Sequence, residues 1–79
     1  MDSIIKYNKV FCELFNVNEA SLGDNFNSST VDSWSSIMHL NLVNNIEEEF
    51  GIMLESDDLL DFKSYQQGKI ILTKYGIEF

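Results

Sequence analysis

The sequence contains no proline, no arginine, one cysteine and one histidine in 79 residues. A single cysteine, Cys12, excludes an internal disulfide and a cysteine-rich metal site, and the single His39 excludes a zinc site built on two histidines. No apolar run approaches the roughly 20 residues that span a bilayer, and the N-terminus lacks the residue order of a signal peptide. We therefore expect a cytoplasmic protein with no resident metal.

Positive charge is also scarce. Five lysines stand against thirteen acidic residues, so the formal net charge is -8. The electric field of such a charge repels phosphate backbones and anionic lipids. We therefore expect that the protein binds neither nucleic acid nor a membrane. Seven of the acids lie within residues 47–61, a segment without lysine.

The length limits what the chain can build. A chain of this size buries only about 60% of its unfolded surface, which is enough for one small core but not for a deep catalytic cleft. With 44% hydrophobic residues it is nevertheless too apolar to stay unfolded. We expect one domain over residues 1–79, present as a monomer.

Apolar spacing predicts an all-α fold, a small four-helix bundle of three main helices and one short helix. The first helix has Asp2 or Ser3 as its N-cap and ends near Asn16. A long loop over residues 18–34 follows, rich in Asn, Ser, Asp and Gly. Four isolated apolar side chains are expected to pin this loop to the core, namely Leu22, Phe26, Val31 and Trp34.

The second helix is predicted over residues 36–50, and Gly51 supplies the left-handed position that ends it. Its core face comprises His39, Leu42, Val43, Ile46 and Phe50. The opposite face comprises Ile37, Leu40, Asn41, Asn44, Glu47 and Glu48. Two apolar side chains among amides and acids predict a docking patch, although contact with the long loop explains Ile37 and Leu40 equally well.

Cap signals define the C-terminal part of the chain. Ser56 is predicted to cap a short helix over residues 57–61, whose acids suit the positive end of a helix dipole. Ser64, with Gln67 three residues later, forms a capping-box signature that opens a last helix, and Gly76 is expected to end it.

Ser36 stands at the start of the second helix. A phosphate esterified there faces the unpaired N–H groups and the positive dipole of the first turn, which stabilise an anion. The simpler interpretation is that Ser35 or Ser36 is only an N-cap.

The segment from Val31 to Ile52 resembles the acyl carrier protein family, together with its peptidyl and D-alanyl carrier relatives. Many stand-alone carriers show V-x-G-W-D-S-L-x-H, then an apolar helix, then E-E-E-F-G-I. Here the corresponding runs are VDSWSSIMH, LNLV and EEEFGI, in register and without a gap. The resemblance implies the acyl-carrier type of bundle, with the whole chain as one carrier domain.

The resemblance also implies that one serine carries 4′-phosphopantetheine, delivered from coenzyme A by a phosphopantetheinyl transferase. Ser36 is the predicted site, because residues 37–46 separate it from the glutamate run by the ten residues found in the family. Ser33 is the runner-up, since Asp32-Ser33-Trp34 looks superficially like the family's D-S-L. Ser35 departs from the pattern, because the family nearly always has a metal-binding aspartate there.

The implied function is a carrier without catalysis of its own, which holds acyl or aminoacyl groups as thioesters and presents them to partner enzymes. Those partners are a loading ligase and acyl-transferring or ketosynthase-type enzymes. Expected docking residues are Ile37, Leu40, Asn41, Asn44, Glu47, Glu48, Asp57 and Asp58. The cargo is expected to enter a cavity among Phe11, Phe15, Leu42, Ile46 and Ile71, and its identity stays open.

Three alternatives remain. The first is an unmodified, degenerate carrier-like interaction domain, which the missing aspartate favours. The second is a peptidyl- or D-alanyl-type carrier with aminoacyl cargo. The third is a small hydrolase in which His39 acts as general base for Ser36, since residues three apart on a helix can approach each other.

Overall fold

The computed structural model describes residues 3–79, and four α-helices account for most of them. These helices are α1 (Ser3–Phe15), α2 (Ser36–Phe50), α3 (Ser56–Asp61) and α4 (Tyr65–Thr73). No strand occurs within residues 3–79, which confirms the all-α expectation. None of the described helices is both long enough and apolar enough to cross a bilayer.

The first helix follows its apolar spacing. Tyr7, Val10, Phe11 and Phe15 are buried on one side of α1. The helix ends where Asn16 adopts a left-handed backbone, with φ of 57°. Asp2, one of the two expected N-caps, lies outside the described residues.

The long loop is attached to the core as predicted. Phe26 and Trp34 are buried, and Leu22 and Val31 pack against the same cluster. The loop also contains a short 3-10 helix, Glu19–Ser21, which the sequence did not indicate. Two backbone hydrogen bonds join the long loop to residues at and just before the start of α4. Tyr65 N donates to Phe26 O at 2.9 Å, and Ser28 N donates to Lys63 O at 2.8 Å.

The second helix has the predicted bounds and the predicted inner face. Leu42, Val43 and Ile46 are buried, while His39 and Phe50 are half-buried. Gly51 ends the helix with φ of 66°. This geometry suits a residue without a side chain, because a Cβ atom crowds the backbone at positive φ.

Of the two predicted N-caps, Ser64 of α4 is confirmed and Ser56 of α3 is wrong. Ser56 lies inside α3, and Glu55 takes the cap position without a side-chain cap. Its backbone N–H instead donates to Tyr75 Oη at 2.9 Å. Ser64 does cap α4, accepting from Gln67 N at 2.9 Å. Helix α4 ends at Thr73, and a turn follows from residue 74 to Gly76, where φ is 87°.

Aromatic rings fill the core. Phe11 is fully buried, and its ring lies within 6.4 Å, centroid to centroid, of six others, which are Tyr7, Phe15, Phe26, Trp34, Phe62 and Tyr65. Edge-to-face and offset pairs of this kind stabilise a core beyond the area they bury. The cluster joins α1, the long loop and α4, and it leaves the N-terminus of α2 at the surface.

Candidate functional site

Ser36 is the first residue of α2, and its side chain is exposed. The preceding Ser35 is the N-cap, with its hydroxyl oxygen accepting from Met38 N at 3.2 Å and its carbonyl accepting from His39 N at 2.8 Å. The first-turn amides of Ser36 and Ile37 have no hydrogen-bond partner within residues 3–79. The exposed hydroxyl therefore stands beside free donors at the positive end of a 15-residue helix.

An open cavity of about 400 Å³ adjoins this hydroxyl, and we call it the serine cavity. The long loop, α2, α3 and the α3–α4 link all contribute to it. Its lining consists of Ser28, Trp34, Ser35, Ser36, His39, Leu40, Leu60 and Lys63. The runner-up site Ser33 is also exposed but is not part of this lining. Ser33 instead lies in the turn before α2, where its carbonyl accepts from Ser35 N at 2.9 Å.

His39 connects three elements at the wall of the serine cavity. Trp34 Nε1 donates to His39 Nδ1 at 3.2 Å, and His39 Nε2 lies 2.8 Å from the carbonyl oxygen of Leu59. Because a carbonyl oxygen only accepts, Nε2 must carry the proton in its bond to Leu59. Nδ1 accepts from Trp34 and therefore carries no proton, so this arrangement is that of a neutral imidazole ring. This pair of bonds holds the loop, α2 and α3 together.

Those two bonds bear on the hydrolase alternative. A general base must offer a free nitrogen within hydrogen-bond reach of the nucleophile. Both ring nitrogens of His39 are already engaged, by Trp34 and by Leu59. The geometry therefore gives Ser36 no activating base from this residue.

The outward face of α2 is largely exposed. Ile37 and Leu40 are 73% and 62% exposed, too much for loop contact to account for them. Asn41, Asn44 and Glu48 are exposed beside them. Glu47 differs from the others, since it is half-buried and its Oε2 accepts from Leu54 N at 2.8 Å. That carboxylate anchors the link to α3.

Asp58 is a correction to the expected docking set. Its carboxylate is buried, where Lys74 Nζ donates at 2.6 Å and Tyr75 Oη donates at 2.5 Å. The hydrogen bond from Lys74, and next that from Tyr75, lowers the pKa of Asp58 below its ordinary value. Asp58 and Asp57 both lie in the first turn of α3, but Asp58 is buried whereas Asp57 is exposed. The Asp58 carboxylate therefore links α3 to the residues that follow α4.

The expected cargo cavity is not the one found. Phe11, Leu42 and Ile46 are fully buried in the packed core, and the serine cavity shares none of the five residues expected to form a pocket. Three lining residues were not predicted from the sequence, namely Ser28, Leu60 and Lys63. The one available signal was Leu60, an apolar residue among acids in a short helix.

No family model, no curated protein and no solved structure matches the chain. The family resemblance therefore rests on the motif residues of segment 31–52. No group of three or more His, Cys, Asp or Glu side chains within residues 3–79 is arranged to hold a metal ion.

Proposed function

We propose that the protein is a stand-alone acyl carrier protein whose Ser36 carries 4′-phosphopantetheine. One observation carries the proposal. The serine chosen by motif spacing is an exposed residue at a helix N-terminus, and it lines an open cavity of about 400 Å³. Ser33 matches the motif less well and does not line that cavity. Both considerations support Ser36.

The chemistry asked of Ser36 is modest. Its hydroxyl oxygen attacks a phosphorus of the coenzyme A diphosphate, a new phosphoester bond forms, and the nucleotide leaves with the old bridging oxygen. The transferase supplies the base and the metal ion, which is consistent with the engaged state of His39. In the product, the free amides of Ser36 and Ile37 stabilise the phosphodiester anion. When bound, the arm supplies a terminal thiol that holds acyl groups as thioesters.

The exposed face of α2 and the exposed start of α3 support docking of enzymes. Ile37 and Leu40 present apolar area, and Glu48 and Asp57 present negative charge. Such a surface fits basic partners, with charge raising the rate of encounter and the apolar side chains contributing a small contact. The partners we propose are the transferase, an acyl- or aminoacyl-loading ligase, and acyl-transferring or ketosynthase-type enzymes.

One observation favours a second candidate, an unmodified carrier-like interaction domain. Ser35 occupies the position of the family's metal-binding aspartate, and its hydroxyl is already engaged as the cap of α2. A hydroxyl is a weaker ligand than a carboxylate for a hard cation. Loading of Ser36 is therefore slower than in family members with aspartate there, and in a degenerate domain it does not occur.

Intact-mass measurement separates these candidates. The protein is incubated with coenzyme A, magnesium and a broad-specificity phosphopantetheinyl transferase. A carrier gains one phosphopantetheinyl group, retains the reaction in Ser33→Ala, and loses it in Ser36→Ala. No adduct on the wild type with several transferases contradicts the proposal and supports the interaction domain.

A further inference from the structure

The serine cavity contains one lysine and no carboxylate. Lys63 is the only Lys, Asp or Glu in its lining, although the whole chain has thirteen acids and five lysines. The backbone of Lys63 is fixed on both sides, since its N–H donates to Asp61 O at 2.8 Å and its carbonyl accepts from Ser28 N at 2.8 Å. The lining of this cavity thus includes one cationic residue and no acidic one, in a protein of net charge -8.

The charge of Lys63 has no partner within the described residues. The one ion pair found in residues 3–79 joins Lys74 to Asp58, neither of which lines the serine cavity. Lys69 lies over the ring of Tyr65, with Nζ 4.8 Å from the ring centroid. Lys63 is therefore free to pair with a negative group that enters the serine cavity.

The remainder of the lining is suited to carbon chains. Trp34 supplies an aromatic ring, and Leu40 of α2 and Leu60 of α3 are 62% and 69% exposed, so both retain apolar surface for a ligand. A cavity of about 150 Å³ accepts a molecule of benzene size. At about 400 Å³, the serine cavity has room for a short acyl group together with part of the arm.

We propose that the serine cavity receives the acyl end of the arm, and that Lys63 favours short acyl groups ending in a carboxylate over neutral or cationic ones. This rests on the proposed function, because the arm on Ser36 delivers the acyl group. An exposed ion pair contributes modestly, so the expected preference is about two- to five-fold. An aminoacyl cargo with a free ammonium group is disfavoured by the same charge.

The test compares three cargoes of similar length. The transferase loads Ser36 with butyryl, succinyl or β-alanyl arms from the corresponding coenzyme A thioesters. The rate of cleavage by hydroxylamine is then measured for each thioester on the protein and for the same acyl thioester of free pantetheine. The ratio of the two rates measures protection by the protein and removes the intrinsic reactivity of each thioester.

We expect protection of the succinyl arm to exceed that of the butyryl arm by about two- to five-fold, with the β-alanyl arm least protected. Lys63→Gln should abolish the difference between succinyl and butyryl, and Lys63→Glu should favour β-alanyl. Lys69→Gln is the matched control, because it removes an equal charge outside the cavity. It should leave the succinyl preference intact.

Three other outcomes overturn the inference. Equal protection of the three cargoes in the wild type shows that the cavity does not select charge. An equal effect of Lys63→Gln on all cargoes assigns the lysine to the phosphodiester of the arm instead. Absence of any loaded product contradicts the proposed function itself, and this failure is recognised by mass before cleavage is measured.

Discussion

Gly68 lies in the middle of α4, where its missing side chain lets two rings approach the helix. A Cβ atom built there lies 2.7 Å from Phe62 Cε1, and closer still to Phe62 Cζ and Tyr7 Oη. Real Cβ atoms essentially never come within 3.0 Å of such neighbours. Gly68→Ala therefore forces Tyr7, Phe62 or the helix backbone to move.

Neither ring moves cheaply. Tyr7 is fully buried, and its hydroxyl donates to Tyr65 O at 2.6 Å. Phe62 is also fully buried and stacks with Phe11 at 6.4 Å between centroids. Overpacking of this kind costs about 3 kcal/mol, and displacing the Tyr7 hydrogen bond costs about 1 kcal/mol more. Alanine regains about 1 kcal/mol of helix propensity over glycine.

The expected net loss for Gly68→Ala is thus about 3 kcal/mol in the free energy of unfolding. For a domain of this size, that lowers the Tm by roughly 12–24 °C. Thermal and urea unfolding followed by far-UV circular dichroism measure it. Gly23→Ala is the matched control, since a Cβ atom there meets nothing within 4 Å. Its effect should stay within about 0.5 kcal/mol.

A double-mutant cycle tests the cause. Tyr7→Phe removes the hydroxyl that crowds the new methyl group, so Gly68→Ala should cost about 1 kcal/mol less in that background. A Gly68→Ala variant as stable as the wild type refutes the close packing of α4. Equal costs in the two backgrounds refute the contact with the Tyr7 hydroxyl.

Three further predictions follow from the site and its supports. The folded-state pKa of Asp58 is lowered, so its ionised carboxylate stabilises the folded protein. This contribution to the free energy of unfolding is fully present above the ordinary carboxyl pKa of about 3.9 and is lost as pH falls through the lowered pKa. Urea titrations should therefore show a steeper loss of stability below about pH 4 in the wild type than in Asp58→Asn, and equal slopes contradict the ion pair between Asp58 and Lys74. His39→Phe leaves the Trp34 indole N–H and the Leu59 carbonyl without partners, and a loss of about 2 kcal/mol is expected; an unchanged urea midpoint contradicts it. Ser35→Asp keeps a good N-cap and adds a carboxylate, so it should speed transferase loading of Ser36 with a stability change within about 0.5 kcal/mol, whereas unchanged loading rules out the missing metal ligand.

The helices could be predicted because their signals are local. The bounds of α2 follow from residues within one or two turns of its ends, namely Ser35, Ser36 and Gly51. The inner face of α2 follows from the spacing of Leu42 and Val43 with Ile46. Such patterns are complete within fifteen residues, so no distant contact was needed to read them.

The remaining features depend on residues far apart in the chain. Asp58 belongs to an exposed acidic run by sequence, yet Lys74 and Tyr75, sixteen and seventeen residues later, draw it inward. The pairing of Ser28 with Lys63 spans 35 residues and builds one part of the serine cavity. Ser36 itself was predicted from a contiguous motif, whereas the cavity around it required the tertiary structure.

The proposed function requires that Ser36 bears a phosphopantetheine arm in the cell. The most direct measurement is the intact mass of the chain purified from its native cells, followed by fragmentation of the peptide that spans residues 31–46. We expect a single phosphopantetheinyl adduct, with or without an acyl group, located on Ser36. An unmodified chain, or an adduct located on Ser33, contradicts it.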